Sequence, residues 1–280
     1  MILASPAKIN LFLQVTGKRP DGFHEIFSLM CPVSLYDSIE LTFDGEGMAV
    51  VCDHPDVPED ETNLVCRAAN IFFDSLGMEA PGIRFRIDKK IPVAAGLGGG
   101  SSNAASVLKC LNSLLGKPFS MERLQKLGLA IGADVPFFIP CKPAIATGVG
   151  EKLLLYGGLP EFKVVLVYPG IKVSTARVYK NLNLGLTNCE KKLKNAIFKN
   201  RGFDLESHLC NDLEKVAALW HPEISQVERA LSKNGANGVL MSGSGSSVFG
   251  LFKNENAANK AAERLAKNKA WSVYTADMLL

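Results

Sequence analysis

The stretch Pro92-Val93-Ala94-Ala95-Gly96-Leu97-Gly98-Gly99-Gly100-Ser101-Ser102-Asn103 restricts the fold more than any other. Four glycines and two serines stand directly ahead of Ala104, Ala105, Val107, Leu108, Leu111, Leu114 and Leu115, which recur at helical spacing until Gly116 and Pro118. The pattern predicts a glycine-rich loop running into a helix N-terminus, with a serine placed to cap it. Unpaired N–H groups and the positive end of the helix dipole make such a terminus a seat for a polyphosphate. Glycines let the backbone approach phosphate oxygens closely. A glycine-rich turn that merely caps a helix fits the same residues. Two common phosphate loops are excluded. No Lys follows the glycines before Lys109, so the loop is not G-x-x-x-x-G-K-[ST]. Ser101 stands where G-x-G-x-x-G requires its last glycine. The loop carries no basic residue, so neutralisation of a bound phosphate must come from the backbone, a metal ion or another segment.

At 280 residues the chain has room for one large or two ordinary domains, and 47% hydrophobic content is enough for a sizeable core. Gly157-Gly158-Leu159-Pro160 is the strongest punctuation, which sets expected domains at 1–157 and 158–280. A net charge of +3, with basic residues gathered near 191–201, gives no ground for a nucleic-acid partner. The seven cysteines are scattered, odd in number and without C-x-x-C. Reduced, mostly buried thiols in a cytoplasmic protein are expected, rather than disulfides or a zinc site. No signal-peptide pattern precedes the strand-like run containing Lys8, and no apolar run suits a membrane span.

Residues 2–16 alternate as a strand. Leu3, Ala7, Ile9, Leu11, Leu13 and Val15 share one face, and Lys8, Asn10, Phe12 and Gln14 the other. Lys8 and Asn10 therefore project side by side, either as part of a solvated face or as an anion or hydroxyl contact. After the turn 17–22, Phe23 reads as core and His24 as surface, unless the backbone departs from a regular strand there. Helices are expected at 63–76, 120–131, 174–179, 211–219, 224–233 and 257–266, and strands at 37–43 (within an apolar run that begins at 26), 50–52, 83–87, 144–150, 162–168 and 271–276. Residues 181–203 are polar and Lys-rich and read as a surface connection. Asp134 is a lone carboxylate among Ala133, Val135, Pro136, Phe137 and Phe138. It fits a helix cap or a catalytic base equally. A second Gly/Ser loop, 242–247, lies between two strand-like runs.

Three of these pieces, Pro6-Ala7-Lys8-Ile9-Asn10-Leu11, residues 92–102 and residues 241–247, together resemble the motifs of the galactokinase, homoserine kinase, mevalonate kinase and phosphomevalonate kinase (GHMP) superfamily. Arg19-Pro20-Asp21-Gly22-Phe23-His24-Glu25 and Gly132-Ala133-Asp134-Val135-Pro136-Phe137-Phe138 bring the match closer to those members whose acceptor carries a diphosphocytidyl group, in the non-mevalonate route to isoprenoids. The resemblance spans residues 6 to about 252. It implies an α+β protein with an N-terminal ribosomal-S5-like α/β domain, a C-terminal ferredoxin-like α+β domain and the active site in the cleft. It also implies a small-molecule kinase that moves the γ-phosphate of ATP, with Mg²⁺, to the 2-hydroxyl of a methylerythritol moiety. By position, Asp134 matches the catalytic base and Lys8 its electrostatic partner. Asn10, Phe23 and His24 match substrate contacts, with His24 on the cytosine edge. Pro92, Val93, Ala94, Ala95, Gly96, Leu97, Gly98, Gly99, Gly100, Ser101 and Ser102 match the ATP loop. Phe23 stands where the family often has Tyr, and Gly99 and Gly100 interrupt the common Gly-Leu-Gly-Ser-Ser. Thr175 and Tyr179 are further candidates for substrate contact, with a helix cap and a core residue as their other readings. The resemblance does not identify the Mg²⁺ ligands or distinguish a monomer from a homodimer.

Overall fold

The computed structural model describes residues 1–44, 46–183, 189, 204 and 208–280. Most of the surface connection expected at 181–203 lies outside the described residues. The chain packs as two compact units. The first comprises Met1–Ala7, Tyr36–Val93 and Gly98–Cys141, and the second Lys8–Leu35, Ala94–Leu97 and Lys142–Leu280.

In the first unit, the end of strand β2 (His24–Thr42) pairs antiparallel with β4 (Ile83–Asp88), which pairs parallel with β3 (Met48–Cys52). Strict alternation in β4 buries Ile83, Phe85 and Ile87 and turns Arg84 and Arg86 outward, as a half-buried strand requires. Helix α1 (Leu64–Leu76) starts where Asn63 Oδ1 accepts the Val65 N–H, and ends at Gly77. It buries Val65, Ala68, Ala69, Phe72 and Phe73. Helix α2 (Gly99–Leu114), α3 (Met121–Ile131, capped by Ser120) and the short α4 (Val135–Phe138) complete this unit.

The second unit holds most of β1 (Ile2–Lys18) and the first half of β2, which pairs antiparallel with β5 (Ala144–Gly148); β5 in turn pairs with β6 (Lys152–Leu155). A separate four-stranded antiparallel sheet has the order β11-β7-β10-β9. Its strands are β7 (Lys163–Tyr168), β9 (Gly238–Met241), β10 (Val248–Phe252) and β11 (Ser272–Asp277). Helix α5 (Thr175–Lys180), strand β8 (Cys210–Asn211) and helix α6 (Glu214–Trp220) precede α7 (Pro222–Lys233); α8 (Glu255–Leu265) follows β10. Val165, Val167, Ile224, Val227, Leu231, Val248, Phe252, Ala258 and Leu265 form the core between helices and sheet. The mixed α+β class is as expected.

Several expectations change. The second face of β1 is not solvated: Lys8, Asn10 and Phe12 are as buried as Ile9 and Leu11. Helix α2 takes in its glycines, starting at Gly99 with Gly98 as N-cap, so no serine caps it. Asn211 belongs to a two-residue strand parallel to β1, and the helix expected from 211 begins at Glu214. Cys189 and Cys210 are disulfide-bonded across 21 residues, with Cα atoms 5.7 Å apart, while Cys31, Cys52, Cys66, Cys110 and Cys141 are not in a disulfide. Tertiary proximity made that pair, and cysteine spacing carries no sign of it. No helix among the described residues is long and apolar enough to cross a membrane.

Candidate active site

Lys8 and Asn10 sit two residues apart on β1, so their side chains leave the same face. Both are buried, at 3% and 2% exposure. Burying an ammonium is costly unless it is hydrogen-bonded or paired. Lys8 Nζ donates to Asn10 Oδ1 at 2.5 Å, Asn10 Nδ2 donates to Ser28 Oγ at 2.8 Å, and Ser28 Oγ donates to Phe12 O at 2.7 Å. This chain fixes the amide so that its oxygen faces the lysine.

Two glycine-bearing segments close on that pair. The Lys8 N–H donates to Leu97 O at 3.0 Å. Ser242 Oγ donates to Gly96 O at 3.0 Å and accepts the Asn10 N–H at 3.3 Å. A methyl group on Gly96 would lie 2.0 Å from Ser242 O, and one on Gly243 would lie 3.2 Å from Lys8 Nζ. Backbone excludes a side chain at Gly96, and at Gly243 a Cβ would sit tight against Gly96 O and the Lys8 ammonium. Ser247 N–H donates to Ala95 O at 3.2 Å, and Val173 N–H to Ala94 O at 3.4 Å. Residues 94–97 are thus laced to the 242–247 loop and to β1. That loop is held from behind by Asn211, whose Nδ2 donates to Met241 O at 2.8 Å and Gly243 O at 2.7 Å. Glu214 Oε2 accepts the Met241 N–H at 2.8 Å. Burial, with the neighbouring Glu214 carboxylate second, pushes the Glu228 carboxyl on α7 up to about 8.

In the first unit the remaining loop residues become the first turn of α2. Ser102 N–H to Gly98 O, 2.9 Å, opens the helical ladder, so the N–H groups of Gly99, Gly100 and Ser101 precede it. Among the described residues, Ser102 Oγ is buried with no hydrogen-bond partner, as is Asn103 Oδ1. A buried ion pair underlies this turn. Lys89 Nζ donates to Asp37 Oδ2 and to Ile91 O, each at 2.6 Å, and Asp37 Oδ1 accepts the N–H groups of Lys90 and Ile91. A methyl group on Gly99 would lie 2.9 Å from Lys89 Nζ, so the ammonium packs directly under the helix start. The loop therefore has a basic neighbour three residues ahead of Pro92, which its own composition does not reveal. Asp134 occupies the N-cap position of α4, but its side chain makes no cap hydrogen bond to that helix. Its turn lies beside α2: a methyl group on Gly132 would be 3.8 Å from Ser101 Oγ.

His24 and Phe23 exchange their expected places. Phe23 is 60% exposed on the turn, while His24 is half-buried with its ring centroid 5.1 Å from that of Tyr179 on α5. Burial, with the Lys18 charge second, holds the His24 imidazole below its ordinary pKa and favours the neutral ring. Thr175 on the same helix shares a 2.7 Å hydrogen bond with Ser244. Arg177 stacks 4.7 Å from the Trp220 ring.

The second unit thus gathers Lys8, Asn10, residues 94–97 and the 242–247 loop, and sets His24 against Tyr179. The first unit gathers residues 98–102 and the turn carrying Asp134. Sequence reasoning missed Ser28, Asp37, Lys89, Asn211 and Glu214. Only Lys89, a charge just before the glycine loop, left a visible signal.

The chain matches the family model of the GHMP kinases N terminal domain over residues 63–141 and that of the GHMP kinases C terminal over residues 188–270. It is 46% identical over 274 residues to 4-diphosphocytidyl-2-C-methyl-D-erythritol kinase of Syntrophotalea carbinolica, covering 98% of this chain and 97% of that one. It is 47% identical over 274 residues to the kinase of the same name of Geobacter sp. strain M21, covering 96% and 95%. A solved crystal structure of 4-(cytidine 5'-diphospho)-2C-methyl-D-erythritol kinase is similar with a TM-score of 0.80 and 34% identity, covering 99% of each chain.

Proposed function

The chain belongs to the GHMP kinase family, and on that footing we propose that it transfers the γ-phosphate of ATP to the 2-hydroxyl of 4-diphosphocytidyl-2-C-methyl-D-erythritol, an isoprenoid precursor. The observation that carries this reading is near full-length identity of 46% and 47% to two kinases named for that substrate. The reading keeps residues 1–157 as the ATP-binding and catalytic domain and 158–280 as the C-terminal domain.

Phosphoryl transfer needs positioning and electrostatic stabilisation more than covalent chemistry. Residues 92–102 hold the ATP phosphates. The helix start at Gly99 offers N–H groups to phosphate oxygens, and buried Lys89 beneath it adds positive charge. Ser102 Oγ, buried without a partner among the described residues, suits a phosphate oxygen or Mg²⁺. Mg²⁺ favours hard oxygen donors and a mixture of protein and phosphate ligands, which fits this hydroxyl with the ATP phosphates. When bound, Mg²⁺ offsets charge on the β- and γ-phosphates. Asp134 accepts the proton of the acceptor hydroxyl. Lys8, fixed by Asn10, stabilises the developing alkoxide and the transferred phosphoryl charge. Asn10 helps orient the acceptor, Phe23 stacks on the cytosine, and His24 hydrogen-bonds its edge. The exposure of Phe23 and the neutral imidazole of His24 support that division of labour.

The test is ADP release by purified protein with Mg-ATP. Release is expected with the cytidyl substrate and not with mevalonate, homoserine or galactose; a flat response to the cytidyl compound removes the proposal. Asp134→Ala is expected to lower kcat by about 10²-fold or more while ATP binding stays near wild type. A large loss of ATP binding in that variant would make Asp134 structural.

A further inference from the structure

We infer that Cys189 and Cys210 form a thiol–disulfide switch, operated by small thiols and disulfides of the glutathione type, on the strand that holds the 242–247 loop. The bond joins buried Cys189 to half-buried Cys210, which pairs with Phe12 across β8 and β1. Among the described residues, strand β8 pairs with β1 at two positions, Phe12↔Cys210 and Leu13↔Asn211. So short a strand has little ladder of its own to keep it in place. Its neighbours depend on it nonetheless. Asn211 holds Met241 O and Gly243 O, and the N–H of Leu213 donates to Asn211 Oδ1 at 3.0 Å. Asp212 N–H donates to Leu13 O at 2.9 Å, Asp212 Oδ2 accepts the Val15 N–H at 2.9 Å, and Oδ1 accepts the Cys189 N–H at 3.2 Å. Residues 210–212 therefore tie Cys189 both to the strand bearing Lys8 and to the loop packed on Gly96.

Reduction breaks the Cys189–Cys210 bond by exchange. One thiolate attacks a sulfur and forms a mixed disulfide, and a second thiolate displaces it. Two RSH become RSSR, and the protein takes up two electrons and two protons as two thiols. Oxidation is the reverse exchange with RSSR as electron acceptor. In the bonded form Asn211 is fixed against the loop. In the dithiol form β8 loses its covalent anchor, and the grip on Met241 O and Gly243 O weakens. The consequence for ATP rests on the kinase reading above; the bond itself and its effect on unfolding do not.

The whole chain is equilibrated across glutathione buffers, quenched with N-ethylmaleimide under denaturing conditions, and mapped by peptide mass spectrometry. Thermal unfolding and equilibrium ATP binding are measured in the same buffers. One two-electron transition is expected, in which Cys189 and Cys210 become protected together while Cys31, Cys52, Cys66, Cys110 and Cys141 remain alkylated. Oxidation is expected to raise Tm by about 5 °C or more, because the bond closes a loop in the unfolded chain, and to tighten ATP binding severalfold. Cys189→Ser and Cys210→Ser should each unfold like the reduced wild type and ignore the buffer. The inference is overturned by absence of the linked peptide in oxidised glutathione, or by equal Tm values in the two forms. It is also overturned if the reduced protein retains one equivalent of Zn²⁺ through both thiols, since the sulfurs and an Asp212 oxygen lie within 4.8 Å of one another and could serve as a metal site instead. Linkage and a Tm shift without ATP binding in either form would leave the switch standing and remove the kinase reading.

Discussion

A methyl group added at Gly96 would meet Ser242 O at 2.0 Å and Gly245 N at 3.1 Å, on a backbone whose φ is +78°. Close approach and left-handed conformation thus demand glycine independently. Gly96→Ala is expected to cost about 3 kcal/mol of stability or more and to raise KM for ATP, read by urea unfolding and steady-state kinetics. An unchanged midpoint would mean that the loop yields freely. His24 makes a different kind of prediction. Burial and Lys18 depress its pKa, so its contribution to stability is present above its ordinary pKa and lost as pH falls through the depressed value. In the proposed contact, a neutral imidazole offers one acceptor nitrogen to the cytosine amine, and protonation removes it. KM for the cytidyl substrate should therefore rise as pH drops through the His24 titration while KM for ATP stays level. His24→Gln should flatten that profile. An identical profile in the variant would show that another group titrates.

Among the elements, α6 and α7 carry a proton linkage of the opposite sign. Folding raises the Glu228 pKa to about 8, through burial first and Glu214 second. Its contribution is present below the ordinary carboxylate pKa and lost as pH rises through about 8. Glu228→Gln should remove that decline, so urea midpoints between pH 5 and 9 would fall more steeply in wild type than in the variant. Parallel curves would assign the decline elsewhere. Local signals made several elements legible: the helices expected from 63 and 120 begin at the caps Asn63 and Ser120, and β4 falls where a strand is expected. What escaped depends on distance along the chain. Alternation in β1 correctly placed Lys8 beside Asn10, but it could not reveal that the second face is also covered, since that cover includes Ser28 and Ser242. Strand β8 is too short to have a period. The Asp37–Lys89 pair joins residues 52 positions apart, and nothing local to either announces the other. The sequence places the start of α2 too late because glycine is a poor helix former; close packing of Gly99 on Lys89 and Ile91 accounts for its presence in the first turn.

At the scale of the molecule, the second packing unit is assembled from three separate pieces of chain, the smallest being Ala94–Leu97. That four-residue piece is the middle of the glycine loop, and strand β1 and the 242–247 loop meet on it. Motifs at the two ends of the sequence are thereby brought to one place, which explains why they occur together although each is weak alone. The same unit contains both tryptophans, Trp220 and Trp271. Arg177 lies against the indole of Trp220, on the helix that also presents Thr175 and Tyr179. A guanidinium over an indole perturbs its excited state, so any shift of α5 changes the emission of Trp220. With Trp271→Phe as background, titration with the cytidyl compound should change fluorescence saturably, and mevalonate should leave it constant. A silent indole at saturating cytidyl compound would remove α5 from the substrate's surroundings. A saturable change would make the stacked arginine an optical gauge of acceptor binding that needs neither label nor turnover.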